Sequence, residues 1–167
     1  MKEMTTPKEA AILALLKEAD KLGYEVEWVA GDNGSFQYWK HLIKIGKNHS
    51  LDDRIIVLSH EIGHGQDYRD NPPGAQELIL MTCFSKEWQV SEHYYKRERR
   101  AWDYATLLLK ELEVWETIRF SFGAYKKSAL SAYYQRHIRA KEEGKDKPEK
   151  LLFDKVYYEL TDTSREG

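Results

Sequence analysis

Only residues 24 to 45 of this chain carry the side-chain period of extended structure, and that confinement restricts the fold more than any other feature. Tyr24, Val26 and Trp28 alternate with Glu25 and Glu27, as in a strand with one face covered. Gly31-Asp32-Asn33-Gly34 follows, four residues suited to a chain reversal. Ser35 to Trp39 and His41 to Ile45 then read as two further extended stretches. The expectation is a small antiparallel N-terminal sheet of two or three strands. The other patterned segments have a helical period, so the predicted class is α+β, with the sheet packed on a helix and a mostly helical C-terminal half.

Thr6-Pro7-Lys8-Glu9 supplies a capped helix start, with threonine as cap, proline in the first turn and glutamate three residues on. Ile12, Leu15, Leu16, Ala19 and Leu22 then recur at helical spacing, and Gly23 stops the run. Ser50 caps a second helix whose first turn holds Asp52 and Asp53, where acids favour the helix dipole. It is predicted over 51–68, and Asn71-Pro72-Pro73-Gly74 ends any continuation. Further helices are predicted over 75–84, 91–112, 114–122, 124–142 and 149–161, with a loop over 144–148. At 167 residues the chain fits a single domain, with 24–110 as its core and 111–167 as a helical extension.

Lysines and arginines number 26 against 28 acids, a net charge of −2, so no global pull draws the chain to nucleic acid or anionic lipid. The one basic run, Lys96-Arg97-Glu98-Arg99-Arg100, is short and interrupted, and reads as a solvated helix face. No segment approaches the roughly 18 apolar residues of a membrane span, and the N-terminus has no signal pattern. Cys83 is the sole cysteine and lies in an apolar run, Leu78 to Phe84, where a buried thiol is expected. These features point to a cytoplasmic protein without a membrane partner.

The predicted helix over 51–68 contains His60-Glu61-Ile62-Gly63-His64. Residues four apart lie one turn apart on one helix face, so both imidazoles can reach one metal ion, and Glu61 flanks that face. Leu51, Ile55, Leu58 and Ile62 form the expected core stripe, leaving His60, Glu61 and His64 to line a cleft. A zinc site needs a third protein ligand and an open position. Glu98 falls on the apolar stripe of the 91–112 helix, beside Ala101, Trp102 and Ala105, where an unpartnered carboxylate would be costly. Its alternative partner is a neighbouring arginine; His93, Glu92 and Asp103 are alternative ligands. Tyr94, Tyr95, His93 and Tyr104 are candidate donors for a developing oxyanion. His41, His49 and His137 read as surface or packed histidines.

A small sheet, a helix with His-Glu-x-x-His, and a later helix with Glu98, Ala101, Trp102 and Ala105 resemble the gluzincin group of zincin metallopeptidases. Within it, the resemblance is to compact ImmA/IrrE-like and related phage-encoded proteins, over residues 24 to 110. The spacing differs from the usual ImmA form, in which alanine and asparagine follow the glutamate directly. The resemblance implies zinc held by His60, His64 and Glu98, with Glu61 as general base in hydrolysis of a protein substrate, and an edge strand, His41 to Ile45, that pairs with it. The rival expectation is a zinc-bearing module that binds a regulatory protein or host factor without cleaving it.

Overall fold

The reciprocal cap expected at Thr6 forms: Thr6 N donates to Glu9 Oε2 at 2.7 Å, and Glu9 N to Thr6 Oγ1 at 3.3 Å. It opens α1, Pro7–Lys21. The structure, a computed structural model, describes residues 5–83, 85–147 and 150–151, except for the side chains of 83 and 85. The environment of the Cys83 thiol and nearly all of the predicted 149–161 helix therefore lie outside the described residues. Contacts divide the chain into two compact units, Met1–Pro72 with Arg97–Leu130, and Pro73–Lys96 with Ser131–Gly167.

In the first unit α1 is followed by β1 (Glu25–Val29), β2 (Gly34–Gln37), one 3-10 turn (Tyr38–Lys40), β3 (Leu42–Gly46) and α2 (Leu51–Asp70). The sheet is three-stranded, as the period change implied, but it is mixed rather than antiparallel. Its order is β1-β3-β2, with β1 parallel and β2 antiparallel to β3. The 31–34 reversal does not close a β1–β2 hairpin, because the end of β3 takes its hydrogen bonds. Gly46 N donates to Asn33 O at 2.8 Å, Lys47 N to Val29 O at 2.8 Å and Asn48 N to Gly31 O at 2.9 Å. Glycine at 46 is required for this insertion, since a Cβ there would overlap the Gly31 backbone. The stretch expected at the edge, His41 to Ile45, is thus the central strand, and His41 itself stands in the left-handed region (φ 50°) after the 3-10 turn.

Register follows burial. Ile43 and Ile45 are fully buried while Lys44 between them is half-exposed, so a one-residue slip would bury a lysine. Val26, Ile43 and Phe36 align across the sheet on the covered face. The Gly46–Asn33 bond also sets the phase of the β2–β3 ladder. Ser35 and Gln37 point their backbone groups at β3, and Gly34 and Phe36 point theirs to the free edge.

α2 starts at Ser50, whose hydroxyl accepts from Asp53 N at 3.2 Å, and runs two residues beyond the expected end. It is buried on every face from Ile55 to Gly65, not on the single stripe expected. α5 (Glu92–Glu111) buries Ala101, Trp102, Ala105 and Leu109 in the same core. α6 (Trp115–Glu142) is one helix where two were expected. Ile118, Phe122, Tyr125 and Ala129 continue a single stripe through Gly123, and an interior glycine costs a helix only about 1 kcal/mol.

The second unit contains α3 (Ala75–Cys83), α4 (Ser85–Trp88), the start of α5 and the last turns of α6. Tyr94 meets Trp88 and Tyr133 edge-on, and Tyr95 stacks on His137. Among the described residues no helix is long and apolar enough to cross a membrane.

Candidate metal centre

The fold brings α2 and α5 together so that one carboxylate meets two imidazoles. His64 Nε2 lies 3.1 Å from Glu98 Oε1, and His60 Nε2 lies 3.2 Å from Glu98 Oε2. The candidate ligand atoms of the three residues all fall within 4.8 Å of one another. His60, His64 and Glu98 are 8%, 6% and 1% exposed, so the group is closed in rather than set on an open cleft wall. The imidazoles are fixed by their neighbours. The His60 ring stacks on Trp102 with centroids 4.0 Å apart, and the His64 ring lies 5.7 Å from Phe36 of β2.

Two glycines permit these approaches. A Cβ on Gly63 would overlap the Ala101 carbonyl oxygen of α5 and lie 2.9 Å from the carbonyl carbon. A Cβ on Gly34 would strike Val57 and come within 3.1 Å of Glu61 Oε1. Glu61 therefore lies against the start of β2, on the helix face it shares with Val57. Burial raises the Glu61 carboxyl, partly offset by His60 and His64, while nearby Glu98 pushes it up further. Burial alone would also raise Glu98, but His64 and His60 hold it well below the usual carboxylate range. His64 is opposed by burial, yet the Glu98 carboxylate leaves it above its ordinary value.

These residues can hold a metal ion. Two imidazoles and a carboxylate are a donor set suited to zinc. Glu98 Oε2 is fully buried and makes no hydrogen bond, for the 3.2 Å approach of His60 is a charge contact without hydrogen-bond geometry. A cation between the three groups would give that oxygen a partner, and its charge would hold Glu61 ionised.

The rival partners of Glu98 are taken by another acid. Asp67, one turn beyond His64 on α2 and fully buried, accepts from Arg97 Nη1 at 2.7 Å, Arg100 Nε at 2.5 Å and Asn71 Nδ2 at 3.0 Å. Arg97 also donates to Asn71 O at 2.9 Å and lies over the Tyr68 ring. The basic run is a solvated face only in part: Lys96 and Arg99 are exposed, while Arg97 is buried and Arg100 half-buried, both turned to α2. Asp103 is exposed and pairs with Lys126, His93 is exposed, and Glu92 pairs with Lys96.

The expected oxyanion donors are occupied too. Tyr104 donates to Asp70 at 2.8 Å, and the Tyr94 hydroxyl lies 3.5 Å from that of Tyr133. Tyr125 of α6, which no sequence pattern singles out, lies near Trp102, the ring that stacks on His60. Its ring centroid is 6.1 Å from that of Trp102. Its hydroxyl is pushed up by burial and then by the charges of Asp53, Glu61 and Asp32. His49 is packed, His137 stacks on Tyr95, and His41 lies against Tyr24 and Tyr38. No protein-family model, curated protein or solved structure matches the chain.

Proposed function

We propose that the protein is a zinc-dependent hydrolase of peptide bonds, acting on a protein substrate. The observation that carries this reading is the convergence of His60, His64 and Glu98 within 4.8 Å, with a fourth buried side chain, the carboxylate of Glu61, next to His60 and outside the ligand set. A structural metal site has no use for that extra carboxylate. Zinc, when bound, acidifies a coordinated water and polarises the scissile carbonyl. Glu61 takes the proton from the attacking water and delivers it to the leaving amine. Tyr125 supplies a hydroxyl donor for the oxyanion. The free edge of β2 offers the Gly34 and Phe36 backbone groups to an extended peptide, which would then run past Glu61. This replaces the edge expected at His41 to Ile45.

A metal-bearing module that binds a regulatory protein without cutting it is favoured by one observation, the near-complete burial of the three ligands. Glu61→Gln separates the two readings. In a hydrolase it keeps zinc and loses at least about 100-fold in turnover of an unfolded protein substrate, the lower range for a general base. Equal cleavage by both forms, or none by the zinc-loaded wild type across a diverse peptide library, refutes the hydrolase reading.

A further inference from the structure

A ligating imidazole is ordinarily held by a hydrogen bond at its other ring nitrogen, which fixes the ring's rotation as well as its tautomer. His60 lacks one among the described residues. Its Nε2 is the nitrogen turned to Glu98, 3.2 Å from Oε2, while Nδ1 is buried and has no hydrogen-bond partner there. What lies against the ring instead is the Trp102 indole, stacked at 4.0 Å between centroids with an interplanar angle of 19°. A turn of the imidazole about its Cβ–Cγ bond would drive a ring edge into that face. The indole is itself held: it is 1% exposed, with Phe122 edge-on at 5.4 Å and Tyr125 tilted at 6.1 Å. Trp102 lies four residues after Glu98, one turn on along the same face of α5. A single stripe thus supplies one candidate ligand and a flat support for another.

We infer, on the metal-centre reading, that Trp102 is a positioning residue whose indole face sets the rotation of the His60 ring and so presents Nε2 to the metal. This is the task that a hydrogen bond at Nδ1 performs in other sites. Filling the core does not call for an indole. Trp102 Nε1 is buried with no hydrogen-bond partner among the described residues, and a hydrocarbon side chain would avoid that cost. The property required of residue 102 is therefore a flat face, and apolar bulk alone is not enough.

The test uses the full chain, with chelator competition for zinc affinity, the visible spectrum of bound cobalt(II) for ligand geometry, and urea unfolding of the metal-free protein for stability. Trp102→Leu keeps apolar bulk without a face and should bind zinc about 10- to 100-fold more weakly, with an altered cobalt spectrum. Trp102→Phe restores a face and should recover the wild-type spectrum and most of the affinity. Leu109→Ala, a cavity in the same core two turns further along α5, should lower stability and leave affinity and spectrum as in wild type. A Trp102 that only fills the core predicts no difference between its Phe and Leu variants. Equal zinc affinity in those two would overturn the inference, as would a Leu109→Ala variant that binds zinc as weakly as Trp102→Leu. If Trp102→Leu does not fold, nuclear Overhauser contacts in the zinc-loaded wild type decide. Contacts between the His60 ring protons and the indole support the inference, and their absence overturns it, since a face not against the ligated ring cannot orient it. A wild type that takes up neither metal overturns the metal-centre reading and the inference with it, a result distinct from all of these.

Discussion

Gly63 lies between the two histidines, and its replacement by alanine probes the α2–α5 distance on which the centre depends. In a helix interior Gly→Ala normally stabilises by about 1 kcal/mol. Here the new Cβ would overlap the Ala101 carbonyl oxygen and lie 2.9 Å from its carbon, whereas ordinary contact begins at 3.4 Å. Backbone cannot rotate out of the way, so α5 must retreat by at least the 0.5 Å difference between these distances, and further to clear the oxygen. Ala101 is three residues from Glu98, so the carboxylate moves with it. Metal ligands tolerate departures of only about 0.2 Å, so the displaced carboxylate should lower zinc affinity on the order of 10- to 100-fold. Overpacking of a core typically costs about 1–3 kcal/mol, which outweighs the helix gain. A net loss of up to about 2 kcal/mol is therefore expected without metal. Chelator competition reads the affinity, and urea unfolding of the metal-free protein reads the stability. A Gly63→Ala variant that is about 1 kcal/mol more stable and binds zinc normally would refute the reasoning, for the helices would then not be in contact there.

Glu98→Ala and His60→Ala should each abolish stoichiometric zinc binding, measured by elemental analysis after dialysis; full occupancy in either would remove that residue from the ligand set. Tyr125→Phe should retain zinc and lose about 100-fold or more in kcat, with little change in KM, if its hydroxyl faces the oxyanion. The pH dependence of zinc stabilisation has a definite sign. In the metal-free protein the raised His64 contributes stability that is complete below pH 6.5 and lost as pH rises through its folded value. The depressed Glu98 contributes stability present above pH 4.5 and lost as pH falls through its folded value. The ion pair thus favours the metal-free form in mild acid, while zinc requires the neutral imidazole. The gain in Tm on adding zinc should increase from pH 6 to pH 8, and a gain that is flat or falls across that range would contradict the assignment.

Residue spacing made much of this fold legible. The Thr6 and Ser50 caps have single-residue signatures, and the confinement of extended structure to residues 24–45 follows from a change of period that no distant contact overrides. Strand order had no such signature. The 31–34 reversal suits a hairpin, and only the carbonyls of Val29, Gly31 and Asn33, taken up by residues 46–48, show that β3 inserts between its neighbours. That insertion depends on Gly46 lying against Gly31, a pairing of two glycines fifteen residues apart that no periodic pattern records. Gly123 misled in the opposite direction, since a glycine inside a helix signals a break only when the apolar stripe also ends, and this stripe runs on to Ala129.

The site was legible in proportion to how local its logic is. His60, Glu61 and His64 share one helix face, so their convergence follows from 3.6 residues per turn. Glu98 could be singled out because a carboxylate on an apolar stripe needs a partner, but the same argument left a neighbouring arginine as a rival to a metal. Asp67, one turn past His64 and hence on the face already read as functional, takes Arg97 and Arg100. Counting charges along α5 alone gives three arginines near one acid and suggests a solvated basic run; adding α2 supplies the buried acid Asp67, and Arg97 and Arg100 then divide from Glu98. A stripe that bears two candidate ligands should therefore be followed one turn further before neighbouring charges are assigned.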